Sequence, residues 1–260
     1  MKNYILILLF SAISVLTHAQ KNDKTWVFIM AGQSNMAGRG AIDYNPFNGD
    51  TISNRRIQTI NKDGEIVLAK EPLHFYEPTM AGLDCGLSFA RTMLSFIPED
   101  VTILLIPTAV GGSSIRKWID DSVHREVELW RNFKSKVEIA KKYGTVKGIL
   151  WHQGESDANA NGIPVHGENL KTLFTKMRKE VDNNKLPILM GELGYFSKTV
   201  HEQFMSINLV MHQYATKDKR SVVVGAKGLD HKGDNLHFNS AGQRELGRRY
   251  AFAFQEKFLK

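Results

Sequence analysis

The amino-acid sequence predicts an α/β protein in which a central parallel β-sheet is covered by helices on both faces. Five short apolar runs recur at intervals too long for hairpins, and segments with helical spacing lie between them. Such runs are typical of strands buried on both faces, and their alternation with helices indicates a parallel sheet of about five strands. The runs are Trp26–Ala31, Val101–Pro107, Val146–Trp151, Leu186–Met190 and Ser221–Gly225.

Segments with apolar residues at three- and four-residue spacing predict the helices of the two outer layers. The predicted helices are Gly86–Phe96, Val123–Tyr143, Glu168–Asp182, Val200–Tyr214 and Ser240–Phe258. In contrast, the residues from Arg39 to Asp84 are rich in Asn, Gly and Pro and show little periodicity. We therefore predict that this segment is a long insertion over one edge of the sheet, where it can form a wall of a substrate site.

The N-terminal residues have the features of a signal peptide. Lys2 supplies a positive charge, a mostly apolar run follows from Ile5 to Leu16, and Ala19 precedes the predicted cleavage site. A membrane anchor is the weaker interpretation because a spanning helix needs roughly 20 apolar residues. We predict a signal peptide over residues 1–19, export to the periplasm or the extracellular medium, and no stable membrane insertion after cleavage.

Residues 20–260 are predicted to form a single domain, because no linker or repeat divides them and their length suffices for one full core. Cys85 is the one cysteine of the chain, so no internal disulfide can form, and we expect it to be a small core residue. The formal net charge is +7, but the basic residues are scattered in short clusters such as Lys176–Lys179 and Arg248–Arg249. This pattern indicates solvated helix faces and no nucleic-acid partner, and it leaves the oligomeric state open.

Four polar clusters follow predicted strands or lie in the loop before the last helix. They are Gly32–Asn35, Gly111–Ser114, His152–Glu155 and Asp234–His237. In a parallel α/β sheet, functional residues gather beyond the carboxyl ends of the strands. We therefore expect these four clusters from distant parts of the chain to converge at one edge.

Ser34 is the candidate nucleophile of this edge. A serine hydroxyl needs an imidazole to take its proton and a further group to orient that imidazole. Asp234 and His237 can supply both from one loop, although Asp230–His231 just upstream is an open alternative. We favour Asp234 and His237 because they adjoin the start of the last helix at Ser240.

Attack of a serine on an ester creates an oxyanion, which requires hydrogen-bond donors already aimed at it. The candidates are the backbone amides of Ser34 and Gly112 and the side-chain amide of Gln153. Loss of one such donor typically costs about 10²- to 10³-fold in turnover.

The small residues around these clusters predict a small acyl group. The residues expected to crowd the acyl side are Ala31, Gly32, Gly111 and Gly112. Trp118 or Trp151 is expected to offer a platform for a sugar ring.

Four sequence motifs of the chain together resemble those of a known family. The motifs are Phe28–Gly38, Gly111–Ser114, Trp151–Asp157 and Asp234–Phe238. Together, and in this order, they resemble the sialate O-acetylesterase and plant-type acetylxylan esterase group, carbohydrate esterase family 6, of the SGNH hydrolases. The likeness covers nearly all of residues 20–260.

The resemblance implies a three-layer α/β/α flavodoxin-like fold, no metal or organic cofactor, and an acetylated carbohydrate as substrate. It implies removal of acetyl groups from sugar hydroxyls, as in acetylated xylan or O-acetylated sialic acid, through an acetyl-enzyme intermediate. By position, Ser34 would be the nucleophile, His237 with Asp234 the base pair, and Gly112 and Gln153 oxyanion-hole donors.

The chain departs from the general SGNH pattern in the way this esterase group does. The general pattern has Asp before the serine and Asn in the third motif, whereas this chain has Gln33 and Gln153. Gln33, Asn35 and Glu155 are candidate supporting or substrate-binding residues. Glu155 has three open roles: it can orient a histidine, support Gln153 or contact substrate.

Two other functions are possible in principle. A metal-dependent hydrolase would draw its ligands from His152, Glu155, His231, Asp234 and His237. Their spacings are not those of zinc proteases, and a metal would leave Ser34 without a role. A non-catalytic glycan-binding module on the same fold is the other alternative, and it is disfavoured because every catalytic position is filled.

Overall fold

A computed structural model describes residues 23–42 and 53–259. The predicted signal peptide lies outside the described residues. In chain order the strands are β1 (Thr25–Gly32), β2 (Ile57–Ile60), β3 (Ile66–Leu68), β4 (Thr102–Pro107), β5 (Val123–His124), β6 (Val127–Glu128), β7 (Thr145–His152), β8 (Ile188–Gly191) and β9 (Ser221–Val224). The helices are α1 (Ser34–Ala37), α2 (Gly86–Met93), α3 (Ile115–Ile119), α4 (Leu129–Tyr143), α5 (His166–Val181), α6 (His201–Lys217) and α7 (Ser240–Phe258).

Within the described ranges the central sheet has seven strands in the order β3-β2-β4-β1-β7-β8-β9. The five predicted strands are all present and parallel, which confirms the α/β fold class. The two additional strands come from the segment between Arg39 and Asp84, which we expected to be irregular. β2 pairs with β4 in parallel, and β3 returns antiparallel to β2. With four and three residues, these strands are too short to produce a periodic signal.

The predicted helix from Val123 was wrong at its start. Residues 123–128 form the β5–β6 hairpin, and the helix begins at Leu129. Arg125 and Glu126 in the hairpin turn have φ angles of 47° and 66°. These angles lie outside the right-handed helical region, so the helix cannot extend through them. The hairpin instead projects Arg125 toward the carboxyl edge of the sheet.

Successive side chains of β1 point to opposite faces of the sheet and so belong to two separate hydrophobic clusters. Val27 and Ile29 pack with α3 to α6 on one face, whereas Phe28 packs with α2 and α7 on the other. The ring of Phe28 lies edge-on to Phe89 and Phe254, with centroids 4.8 and 5.1 Å away. Burying a side chain of this size stabilises the fold by roughly 2 kcal/mol.

The strand order places β1 between β4 and β7. The chain leaves β1 toward β2 on one side and leaves β7 toward β8 on the other. This arrangement is a topological switch point, and the crevice beyond its carboxyl ends is the usual ligand site of an α/β sheet. Cys85 is fully buried, as expected for a core residue. Across residues 23–42 and 53–259, no helix is long and apolar enough to cross a membrane.

Candidate active site

Ser34 is the first residue of the short helix α1, directly after β1. The turn before it passes so close to β7 that a side chain at Gly32, which has a φ of +134°, would collide with the carbonyl of His152. The amide of Gln33 donates to that same carbonyl at 2.9 Å. The end of β1 is therefore fixed against β7, and the Ser34 residue is only 7% exposed.

His237 lies beside Ser34, although the two residues are far apart in the sequence. Its Nε2 is 2.9 Å from the Oγ of Ser34, and its Nδ1 is 2.7 Å from an Oδ of Asp234. Because Nδ1 faces a carboxylate, the neutral ring carries its proton there and leaves Nε2 free to accept the serine proton. The three side chains thus form a nucleophile–base–orienter series of the serine-hydrolase type.

The charges of this series are set by burial and by hydrogen bonds. Burial raises the pKa of Asp234, but hydrogen bonds from the backbone amide and ring of His237 and from the amide of Leu236 outweigh it and hold that pKa below its usual value. Burial lowers the pKa of His237, and the carboxylate of Asp234 offsets this only in part. The imidazole is therefore neutral at pH values where an ordinary histidine is already charged.

The alternative pair Asp230–His231 has a different place. The Nδ1 of His231 accepts hydrogen bonds from the backbone amides of Gly233 and Asn235, at 3.0 and 3.1 Å. The carboxylate of Asp230 accepts the amide of His231. This pair shapes the loop that carries His237 and makes no hydrogen bond to Ser34.

The loop after β4 is held on both sides of Gly111. Its amide donates to a carboxylate oxygen of Glu77 at 2.6 Å, and its carbonyl lies 2.9 Å from Nε2 of His124. The next residue, Gly112, has a φ of +74°, a backbone conformation that favours glycine. Gly112 lies with Ser34 at a cavity of about 280 Å³. The backbone amides of these two residues are therefore candidate hydrogen-bond donors at that cavity.

The cavity joins residues from every predicted cluster and from the segment between Arg39 and Asp84. It is lined by Gln33, Ser34, Arg39, Met80, Gly111, Gly112, Arg125, Glu155, Ser156, Leu236 and His237. The predicted convergence of the four polar clusters at one edge of the sheet therefore occurs. The predicted substrate wall is present in part, through Arg39 and Met80.

Comparison with known proteins agrees with this geometry. Residues 24–256 match the profile of a family described as carbohydrate esterase, sialic acid-specific acetylesterase. The chain belongs to this family. It is also 30% identical over 251 residues to a probable carbohydrate esterase of Arabidopsis thaliana, covering 89% of this chain and 91% of that protein. The resemblance inferred from the four motifs is confirmed, and the protein is a carboxylic ester hydrolase.

Solved structures show the same fold. An X-ray structure of an Arabidopsis thaliana protein superposes with a TM-score of 0.79 and 28% identity, covering 90% of this chain and 98% of that one. A crystal structure of NanS superposes with a TM-score of 0.72 and 18% identity, covering 91% and 98%. A carbohydrate acetylesterase from Xanthomonas citri gives a TM-score of 0.64 at 17% identity, with 90% of this chain and 56% of that one covered.

Gln153 of the esterase lies behind the cavity. It is fully buried and does not line the cavity. Its Nε2 is surrounded by acceptors, namely Oε1 of Gln33, the carbonyl of Ser113 and a carboxylate oxygen of Asp157. The predicted role of Gln153 as a direct oxyanion donor therefore has no support from its contacts, because both amide protons are directed at protein acceptors.

Glu155 and Asn35 of the esterase contact each other. The amide of Asn35 donates to Oε1 of Glu155 at 2.6 Å. The Glu155 side chain is 4% exposed, and burial raises its pKa to about 7. Nε2 of His152 lies 3.9 Å from its Oε1, and Glu155 makes no direct hydrogen bond to His237 or to Gln153. Burial lowers the pKa of His152 to about 3, so this ring is a neutral core residue.

Three charged residues of the esterase site were not identified from the sequence. Glu77 accepts hydrogen bonds from Arg39, at 2.8 Å, and from the amide of Gly111, and it also pairs with Arg125. Arg39 directly follows the nucleophile motif, which is the one local signal for it. Glu77 and Arg125 lie in segments predicted as an irregular insertion and a helix, and nothing in their spacing indicates the contact.

The tryptophans expected to contact a sugar ring are not at the esterase cavity. Trp118 and Trp151 are both fully buried and pack edge-to-face with centroids 5.5 Å apart. This prediction was wrong because both rings fill the core between the sheet and its helices. The exposed apolar side chains at the cavity are instead Met80 and Leu236, at 45% and 37% exposure.

The side chains considered as metal ligands are distributed among different local networks. Over the part of the chain that the structure describes, no three His, Cys, Asp or Glu side chains form a group that could hold a metal ion.

Proposed function

We propose that this esterase removes acetyl groups from sugar hydroxyls with Ser34 as nucleophile, His237 as general base and Asp234 as its orienting carboxylate. The hydrogen-bonded series of these three side chains at a small cavity carries the proposal. Its geometry meets the requirement that nucleophile, base and orienting group lie within hydrogen-bond distance of one another.

The reaction follows from the positions of these groups. The Oγ of Ser34 attacks the acetyl carbonyl carbon while its proton passes to Nε2 of His237. The carbonyl oxygen becomes an oxyanion, which the backbone amides of Ser34 and Gly112 stabilise. The intermediate collapses, the C–O bond to the sugar breaks, and His237 returns the proton to the sugar oxygen. Water then repeats these steps on the acetyl-enzyme and releases acetate.

The arginines at the cavity favour a substrate that carries a carboxylate. Arg39 and Arg125 both line the cavity and share one carboxylate, that of Glu77. Glu155 lines the same cavity, but burial raises its pKa to about 7, so below that pH the two arginines against the carboxylate of Glu77 leave one excess positive charge. The Arg39 side chain is 8% exposed and is held by its ion pair with Glu77. The Arg125 side chain is 41% exposed and can reach a ligand. O-acetylated sialic acid or acetylated xylan bearing glucuronic acid offers such a carboxylate, and a guanidinium binds it well.

We also propose that residues 20–260 act as one domain outside the cytoplasm after removal of residues 1–19. The features that support export are the charge of Lys2, the apolar run from Ile5 to Leu16 and the small residue Ala19. N-terminal sequencing of protein recovered from the periplasm or medium should find Gln20 as the first residue.

The decisive experiment measures acetate release from O-acetylated sialic acid, acetylated xylan and p-nitrophenyl acetate by the protein and its Ser34→Ala variant. We expect release that is lost in the variant and unaffected by EDTA. Activity abolished by EDTA and restored by zinc would instead indicate a metal-dependent hydrolase. Equal binding of acetylated glycan by both proteins without acetate release would indicate a binding module. p-Nitrophenyl octanoate is the control, and its cleavage at the rate of the acetate ester would contradict a small acyl site.

A further inference from the structure

The loop after β4 carries Gly112, whose backbone amide is a proposed donor to the oxyanion. This N–H belongs to the same peptide unit as the carbonyl of Gly111. A peptide unit is planar and trans, so its N–H points away from its C=O, and a contact that fixes one direction fixes the other. Across residues 23–42 and 53–259, no protein group accepts a hydrogen bond from the amide of Gly112, so this N–H is available to a ligand in the cavity.

His124, in strand β5, holds the carbonyl end of this peptide unit. Its Nε2 lies 2.9 Å from the carbonyl oxygen of Gly111. The ring also lies against Gly112 itself, because a Cβ atom added there would be 3.6 Å from the same Nε2. The β5–β6 hairpin therefore places an imidazole on the carbonyl side of the peptide unit, opposite to the N–H that faces the substrate.

Lys117 determines which nitrogen of this ring carries the proton. Its Nζ lies 2.8 Å from Nδ1 of His124. An ammonium group has only donors, so Nδ1 is the acceptor of this pair and is unprotonated. The neutral ring then carries its proton on Nε2, which donates it to the carbonyl of Gly111. Lys117, His124 and the Gly111–Gly112 peptide thus form one series in which each member donates to the next.

The preceding peptide unit is held separately. The amide of Gly111 donates to Glu77 at 2.6 Å, and Glu77 also pairs with Arg125, the residue after His124 in the hairpin. Two consecutive hairpin residues therefore act on two consecutive peptide units, Arg125 through Glu77 and His124 directly. The direction of the Gly112 N–H depends on the contact with His124, since the carbonyl that His124 binds lies in the same plane as that N–H.

We infer that His124 is a positioning residue that orients and polarises the Gly112 amide as an oxyanion donor, and that Lys117 keeps the ring in the tautomer this requires. This inference rests on the proposed serine mechanism. A hydrogen bond accepted by the carbonyl draws electron density from the peptide nitrogen and strengthens the hydrogen bond that its N–H donates, by roughly 10–30%. Because negative charge develops on the acetyl oxygen only in the transition state, loss of this effect lowers kcat more than it raises KM.

The test compares His124→Phe and His124→Gln on p-nitrophenyl acetate. Phe keeps a ring but has no donor for Gly111, whereas the side-chain amide of Gln can place an NH₂ near the position of Nε2. We expect His124→Phe to lose about tenfold in kcat with little change in KM, less than the 10²- to 10³-fold typical of a lost donor because the Gly112 N–H remains. His124→Gln should stay within about threefold of the unmodified protein, since it keeps a donor. Val123→Ala, at the neighbouring hairpin residue that is 63% exposed, is the matched control and should match the unmodified protein.

A second measurement separates oxyanion binding from folding. Trifluoroacetone forms a hemiketal with a reactive serine, through a bond from Oγ to its carbonyl carbon, and places a negative oxygen in the oxyanion hole. Its inhibition constant should rise in His124→Phe by about the factor by which kcat/KM falls, while the thermal midpoint serves as the folding control. An unchanged inhibition constant, or equal losses of kcat in the Phe and Gln variants, would overturn the inference.

The tautomer of His124 can be observed directly. Nitrogen NMR of protein with labelled histidine, assigned by the signals that disappear in His124→Gln, should show this ring protonated on Nε2 alone at neutral pH. A proton on Nδ1 would overturn the role given to Lys117 and with it the inference. These failures are distinct from failure of the proposed function, in which the unmodified protein would release no acetate or would release it independently of Ser34.

Discussion

The side-chain amide of Asn35 donates to Oε1 of Glu155 at 2.6 Å and so connects the nucleophile turn to the loop after β7. The same Asn35 also contacts the backbone on both sides of His237, the proposed general base. Its NH₂ lies 3.2 Å from the carbonyl of Leu236, and its oxygen accepts the amide of Phe238 at 3.1 Å. His237 stands between those two residues, so its backbone position relative to Ser34 depends on Asn35.

Replacement of Asn35 should therefore lower turnover without removing any reacting group. In Asn35→Ala we expect kcat to fall about 10²-fold, since a displacement of a catalytic group by about 1 Å has an effect of that size. Steady-state kinetics on p-nitrophenyl acetate measures it, with the exposed Lys171→Ala as control. A kcat equal to that of the unmodified protein would show that the loop holds His237 without Asn35.

The buried carboxyl of Glu155 should make stability depend on pH. Burial raises its folded pKa to about 7 from 4.5, so between these values the folded state binds more protons than the unfolded state. The contribution of Glu155 to stability is therefore fully present below this window and falls as pH rises through it, by up to about 1.4 kcal/mol per pH unit. Burial also raises the pKa of Glu71 to about 7, so both proteins should lose stability in urea unfolding from pH 4.5 to 8, and the loss should be steeper in the unmodified protein than in Glu155→Gln. Parallel curves would refute it.

The lowered pKa of His237 should appear in the pH dependence of catalysis. The base must be neutral, and burial favours the neutral ring, so kcat/KM should fall on the acid side with an apparent pKa below 6.5. In Asp234→Asn the opposing effect of the carboxylate is lost and the ring can take the wrong tautomer, so kcat should fall by about 10⁴-fold. An acid limb above 6.5 on p-nitrophenyl acetate would contradict this account.

The parts of the site that follow the central strands could be predicted because those strands are continuous apolar runs. Once β1, β4 and β7 are identified, their carboxyl ends and the motifs after them must lie together. The loop that carries His237 could be placed by its position before the helix that begins at Ser240. The topology thus predicts which segments meet and leaves open the direction of each side chain.

Side-chain direction at Gln153 and Trp118 could not be predicted for this reason. The amide of Gln153 is oriented by a carbonyl and a carboxylate that approach it only in the folded chain. Trp118 follows a glycine-rich loop, where a substrate platform is expected, but its ring is enclosed by the helices of one face. Likewise, the left-handed conformation of Arg125 keeps the helix from beginning at Val123, although the hydrophobic spacing extends back to that residue.

Glu77 should support both the stability of the fold and the position of the loop after β4, which we call the oxyanion loop because it carries Gly111 and Gly112. Its side chain is 4% exposed and binds Arg39 and the amide of Gly111, which adjoins the proposed donor Gly112. In Glu77→Gln the buried charge of Arg39 loses its partner, so we expect a loss of about 3 kcal/mol in unfolding free energy. Chemical denaturation measures this, with the exposed Glu168→Gln as control.

The same Glu77→Gln variant should show a selective kinetic effect. Because Gly111 is still held through its carbonyl by His124, we expect kcat on p-nitrophenyl acetate to fall by about tenfold with KM little changed. A stability loss with unchanged kcat would mean that Glu77 serves the fold alone.

Arg125 should distinguish charged from neutral substrates. Its side chain is 41% exposed at the cavity, and a hydrogen bond to a charged group typically contributes about 1.5–3 kcal/mol. In Arg125→Gln we expect kcat/KM for an acetylated sugar with a carboxylate to fall about 10- to 100-fold, mostly through KM. The value for p-nitrophenyl acetate, which has no carboxylate, should change by less than about threefold. Salt should weaken binding of the charged sugar in the unmodified protein and have less effect in the variant, because the variant lacks the exposed charge of Arg125, on which screening acts most strongly. Equal losses on both substrates would show that Arg125 acts through Glu77 on the oxyanion loop, and the preference for a carboxylate would then have to be abandoned.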